Sequence, residues 1–120
     1  SVKYTEMQSF YDQHDVLINC SLRDSGCLAV MEAMGRGLPI ICIDTGGPRV
    51  NTELGGAVKI PVRSYDLVKQ DITAAIKKLT EENELRNSLS EKSREIAKNE
   101  FEYAAKMEDF YKKYIVGELK

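Results

Sequence analysis

The sequence predicts an α/β fold of about three parallel strands with flanking helices and a helical tail. Three observations predict it. Short unbroken apolar runs stand at Asp15–Asn19, Pro39–Ile43 and Ala57–Ile60, the pattern of strands buried on both faces in a parallel sheet. Seven of the eight glycines lie in residues 1–60, where tight turns would have to join such strands. Charge is skewed the other way: residues 1–60 hold 5 basic and 7 acidic side chains and residues 61–120 hold 12 of each, so the second half reads as solvated helices.

Each element has its own local cause. Thr5 followed by Gln8 forms a capping-box pattern, and Met7, Phe10 and Tyr11 give helical spacing over Thr5–Gln13. The strand Asp15–Asn19 follows. Leu28–Gly35 is rich in helix formers and runs into Gly-Arg-Gly-Leu-Pro, a stop signal, before the strand Pro39–Ile43. Strand, helix and strand at this length make a βαβ unit. After the strand Ala57–Ile60, Val68, Ile72, Ala75, Ile76 and Leu79 line one face of a helix starting near Ser64. Leu85, Leu89 and Ile96 line the next, for which Thr80 is a candidate cap. Tyr103, Met107, Phe110, Tyr111 and Tyr114 line the last. Each stripe repeats at 3.6 residues with Lys and Glu opposite. Such stripes report burial, so the tyrosines read as core.

Composition excludes several functions. With 17 Lys and Arg against 19 Asp and Glu, the chain lacks the basic surplus that non-specific nucleic-acid binding or a polybasic membrane patch requires. No apolar run approaches the ~20 residues that span a bilayer, and no signal peptide is visible. Cys20, Cys27 and Cys42 form neither an even set nor a CxxC pair, which points to a reduced, cytoplasmic compartment without disulfides or a thiolate zinc site. The 120 residues read as a single domain without linker or repeat. The chain opens on Ser1 without an initiator Met, as a fragment of a longer protein would.

Chemistry concentrates in Ser21–Val50, SLRDSGCLAVMEAMGRGLPIICIDTGGPRV. The turn Arg23-Asp24-Ser25-Gly26-Cys27 separates the first strand from the next helix. Small residues at Ser25 and Gly26 let backbone approach a ligand. Free amides and the positive dipole end of the helix suit a phosphate, and ligands of open α/β sheets bind outside the carboxyl ends of the strands. Asp24 lies before the helix and Glu32 inside it, and a carboxylate beside a phosphate site suits sugar or ribose hydroxyls. Spacing alone favours a plainer reading, with Asp24 as a cap and Glu32 as a solvated helix residue.

The segment resembles the donor-site signature of the retaining GT-B glycosyltransferases of family 4, the glycosyl transferases of group 1. The matching residues are Asp24 and Glu32, Glu32-Ala33-Met34, Gly37-Leu38-Pro39, and Gly46-Gly47. Tyr4–Asn19, Gly56–Pro61 and the three later helices are similar, more weakly, to the flanks of that signature. The resemblance implies a partial Rossmann-like fold, the carboxyl-terminal part of a nucleotide-sugar-binding lobe. It implies that Glu32 holds the donor ribose, that Asp24 contacts the transferred sugar, and that backbone at Ser25, Gly26, Cys27 and Leu28 holds sugar and diphosphate. Asp24 and Glu32 are then the candidate catalytic residues. The donor is a nucleoside diphosphate sugar, with no further cofactor and no metal. The acceptor, a sugar or lipid-linked glycan, would bind a lobe outside this chain, and that lobe could place the enzyme at the inner membrane face. The fragment alone is expected not to turn over. The alternative reading is a non-catalytic nucleotide-sugar binding or interaction module.

The departures are specific. The first acid is usually Glu, Cys20 replaces a usual Pro, Cys27 replaces Gly or Ser, and Val50 and Asn51 occupy the region of a common acid. Arg23 and Arg49 are the basic residues at the two ends of the segment, and Arg23 reads as an exposed loop residue. His14, the only histidine, has no catalytic partner in sequence. Asp44 ends a strand without a preceding GxGxxG, and Gly46-Gly47-Pro48 reads equally as a tight turn or a phosphate approach. By the strand order of the family, Asp15–Asn19 should border a strand from outside this chain. Without that strand it becomes an edge, and self-association through Val16, Leu17 or Ile18 is expected.

Overall fold

The computed structural model describes residues 4–23 and 28–101. In chain order the elements are α1 (Tyr4–Asp12), β1 (Leu17–Asn19), α2 (Leu28–Gly35), β2 (Ile40–Ile43), α3 (Gly46–Asn51), β3 (Ala57–Ile60), α4 (Tyr65–Glu81) and α5 (Asn83–Ile96). A π-helical turn, Ala97–Phe101, continues α5. The three strands are parallel in the order β1-β2-β3. Leu17, Ile18 and Asn19 pair with Ile40, Ile41 and Cys42, and those residues pair in turn with Ala57, Val58 and Lys59. The structure is therefore an α/β domain with flanking helices, as the sequence predicts.

The apolar runs become strands because β2 is closed on both faces. Ile40 and Cys42 face a core made with Tyr11, Val30, Ala33, Met34, Leu38, Ile96 and Ala97. Ile41 faces the opposite core with Ile60, Ala75 and Leu79. Val30, Ala33 and Met34 of α2 and Ala75 and Leu79 of α4 recur at helical spacing, so each helix turns one apolar stripe to the sheet. β1 is an edge among the described residues, and its Ile18 is 43% exposed on the α4 side.

α5 ties down the amino-terminal ends of the strands. Gly37 precedes β2 and Gly56 precedes β3, with φ of 79° and 82°, a region that favours glycine. Ser90 Oγ donates to the Gly37 carbonyl at 2.6 Å, and Ser93 Oγ donates to the Gly56 carbonyl at 3.3 Å. Ser93 is fully buried, so its hydroxyl needs the bond it makes. Arg86 closes the α4–α5 corner by donating to Leu79 O at 3.1 Å and to Asn83 Oδ1 at 2.8 Å. Across the start of α4, Arg63 forks onto Asp71, with Nε to Oδ2 at 3.1 Å.

Some boundaries differ from the sequence reading. α1 starts at Tyr4, so Thr5 stands inside its first turn instead of capping it. β1 is three residues, because Leu17 N already takes Pro39 O at 3.0 Å and the chain before it is turning out of α1. Thr80 does not cap α5. Its hydroxyl donates back to Ile76 O at 2.8 Å inside α4, and Glu82 holds the capping position. Gly46-Gly47-Pro48 is not a simple tight turn but the first turn of α3, a helix the sequence reading lacks. Proline is tolerated there because first-turn amides have no intrahelical acceptor. The tyrosine-lined helix from Tyr103 onward lies outside the described residues.

Two outcomes follow from this packing. A Cβ at Gly56 would sit 2.6 Å from Ser93 Oγ and 3.3 Å from Ser93 Cα, in a left-handed backbone. Gly56→Ala should therefore destabilise the fold by roughly 2–5 kcal/mol, strain and overpacking together, measured by urea unfolding; an unchanged midpoint would contradict the clamp. Cys42 is buried, its Sγ lies 3.8 Å from Thr52 Oγ1, and burial pushes its thiol above the ordinary range. At neutral pH iodoacetamide should modify the exposed Cys20 in the native chain and Cys42 only after unfolding, as read by peptide mass mapping.

Candidate functional site

The carboxyl ends of the strands carry the segments that the sequence singles out. β1 runs into Cys20–Arg23, where Ser21 N donates to Asn19 Oδ1 at 2.9 Å, a side-chain turn that ends the strand. Asp24, Ser25, Gly26 and Cys27 lie outside the described residues. Leu28 then opens α2, 70% exposed. Glu32 lies one turn further along α2, half-buried.

Glu32 is tied to α1. The hydroxyl of Tyr11 donates to Glu32 Oε2 at 3.0 Å, and the Tyr11 ring is 4% exposed within the core. Just past the end of α2, Arg36 grips Asp12 with two donors, Nε to Oδ1 at 2.9 Å and Nη2 to Oδ2. Neighbouring residues of α1 thus meet Glu32 on α2 and Arg36 just after it, so two rungs tie α1 to α2 and its end. The Arg36 hydrogen bonds hold the Asp12 carboxyl below its ordinary range, and Asp12 raises Arg36 in return. The folded state favours ionised Asp12, so this contribution is present above the ordinary carboxylate range. It fades as pH falls through the lowered value. Both side chains are exposed, so it is small.

The second strand end holds Asp44 and the start of α3. Asp44 N donates to Ile60 O at 2.8 Å, which fixes the chain as it leaves the sheet. Asp44 Oδ1 is buried and accepts no hydrogen bond from the described residues, while Arg49 Nε stands 3.6 Å from it, close enough to offset charge. Arg49 thus faces an acid of its own chain. Val50, where the resemblance expects an acid, is 68% exposed on α3.

His14 belongs to the other end of β1. Its Nδ1 donates to Phe10 O at 2.7 Å and its ring lies 4.5 Å from the Phe10 ring, so it closes α1. Among the described residues, no three His, Cys, Asp or Glu side chains gather as metal ligands, and no helix is long and apolar enough to cross a membrane.

The description of the glycosyl transferases group 1 family matches residues 1–96, from α1 to the last residue of α5. The chain belongs to the group 1 glycosyltransferases. None of the curated proteins compared matches it. Membership makes glycosyl transfer the general activity of the family to which this domain belongs, and the three parallel strands with flanking helices are consistent with a partial Rossmann-like GT-B fragment. In this glycosyltransferase domain the matched region ends where the π-turn Ala97–Phe101 begins.

Sequence reasoning named Glu32 and missed its partner. Tyr11 lies 21 residues away, and its spacing with Met7 and Phe10 marks it only as part of an apolar stripe. No motif pairs the two; the one hint is that Tyr11 and Asp12 adjoin while Glu32 and Arg36 are four apart.

Proposed function

We propose that this chain is the donor-binding part of a retaining glycosyltransferase that moves a sugar from a nucleoside diphosphate sugar to an acceptor during glycan or surface-polysaccharide synthesis. The observation that carries the reading is Glu32. It is a half-buried acid one turn into the helix that follows β1, held at one oxygen by a buried tyrosine. A carboxylate has about four lone-pair sites, so Glu32 keeps acceptors for two vicinal hydroxyls after taking the Tyr11 proton donor. Ribose presents such a pair.

The resemblance to the donor-site signature assigns the roles. Glu32 accepts from the donor ribose, and Asp24 accepts from hydroxyls of the transferred sugar. Backbone amides at Ser25, Gly26, Cys27 and Leu28, with the positive end of α2 behind them, hold the diphosphate. Charge develops on the diphosphate as the glycosidic bond breaks, and amide hydrogen bonds to it stabilise the leaving group without a metal ion. The acceptor, a sugar or a lipid-linked glycan, docks on the remainder of the enzyme, in the cytoplasm or at the inner membrane face. The 120 residues alone do not turn over. A second reading, a non-catalytic nucleotide-sugar binding module, draws on the exposed Val50 in the place of an acid.

Two measurements on the intact protein test the reading. Glu32→Ala should weaken donor binding about ten- to a hundredfold, because hydrogen bonds to a charged group contribute roughly 1.5–3 kcal/mol; calorimetric affinity equal to wild type would remove Glu32 from the site. Transfer should keep the anomeric configuration, read by NMR of the first product, and should survive EDTA. Inversion, or activity lost to EDTA and restored by Mn²⁺, would contradict the proposed chemistry.

A further inference from the structure

We propose that Tyr11 is a positioning residue for donor recognition: its hydroxyl locks the Glu32 carboxylate in the orientation that receives a vicinal diol. The inference rests on the reading of Glu32 as the ribose acceptor and extends the site to a helix that precedes the signature.

The geometry separates Tyr11 from an ordinary core residue. Its ring is 4% exposed and packs with Val30, Ala33 and Met34 in the core beneath α2. The ring is therefore fixed, and so is the place of its hydroxyl. That hydroxyl donates to Oε2 of Glu32 at 3.0 Å. Glu32 is half-buried on a helix whose sheet-facing positions are Val30, Ala33 and Met34. A glutamate there, left alone, would sample several rotamers. A diol that needs both carboxylate oxygens at once would have to freeze them on binding. Tyr11 freezes them beforehand, which is the general advantage of a preorganised site. The phenol donates to a single lone pair of Oε2, so the carboxylate keeps acceptor sites for two hydroxyls.

A purely structural role predicts something different. The Asp12–Arg36 rung joins α1 to the end of α2 and makes no hydrogen bond to the Glu32 carboxylate. If Tyr11 merely holds α1 against α2, removing either rung should have the same consequence for binding. If Tyr11 acts through Glu32, only its own loss should affect recognition of the diol.

The test uses the intact protein and titration calorimetry with UDP, GDP and ADP, each beside its 2′,3′-dideoxy counterpart. The readout is the affinity ratio of the nucleotide to its dideoxy form, which a general loss of stability does not move. Tyr11→Phe keeps the ring in the core and should lower that ratio about two- to tenfold, the cost of immobilising one flexible side chain on binding. The same substitution in a Glu32→Ala background should change the ratio no further, and Asp12→Asn should leave it at the wild-type value. An unchanged ratio in Tyr11→Phe, or an equal fall in Asp12→Asn, overturns the positioning role while the Glu32 reading stands. A Glu32→Ala variant with the wild-type ratio, or no binding of any of the three nucleotides, overturns the donor reading itself and this inference with it.

Discussion

Ile40, Ile41, Cys42 and Ile43 are each 4% exposed or less, and the fold is arranged to keep them so. A strand closed on both faces needs a neighbour along each edge and a helix layer above and below. β1 and β3 supply the edges in parallel register, α2 and α5 cover one face, and α4 covers the other. Parallel pairing forces each connection back across the sheet, so the chain leaves β1 and β2 at the same end. The described residues placed together there are Cys20 to Arg23, Leu28, and Asp44 to Gly47. The site is a consequence of how a buried strand is covered.

The opposite end of the sheet does mechanical work. Gly37 and Gly56 turn the chain into β2 and β3, and Ser90 and Ser93 of α5 hold their carbonyls. With that end pinned, α2 has a fixed height on the sheet, and Glu32 a fixed depth along it. The two rungs from α1, Tyr11 to Glu32 and Asp12 to Arg36, then set how α2 is rotated. The exposed rung is a weak surface ion pair. The buried-ring rung has the more consequential partner, because one end of it is the acid that the family resemblance singles out.

Much of this was legible in the sequence, and the limits have physical causes. All three strands were readable because unbroken β-branched runs have few other uses in a chain of this size. The stripe of α4 was readable because Ala75 and Leu79 do face the sheet. α3 was not readable: Gly46-Gly47-Pro48 is poor in helix propensity, and the helix exists because Thr45 and the turn after β2 place Pro48 in its first turn. The roles of Ser90 and Ser93 were not readable, since only the folded chain brings glycine carbonyls 53 and 37 residues away against them. Within the candidate site, Glu32 was named from a motif, whereas Tyr11 was hidden because its ring satisfies the apolar pattern and its hydroxyl does the selective work. Asp24 to Cys27 rest on the sequence alone.

The central claim is that Glu32 receives the ribose of a nucleotide-sugar donor. The most direct measurement is a crystal structure of the intact protein with a nucleoside diphosphate bound. The ribose hydroxyls should lie within hydrogen-bond distance of the Glu32 carboxylate, with Tyr11 still on Oε2 and the diphosphate against the start of α2. A nucleotide seated elsewhere, with Glu32 bonded to Tyr11 and to no hydroxyl of the ligand, would contradict the account.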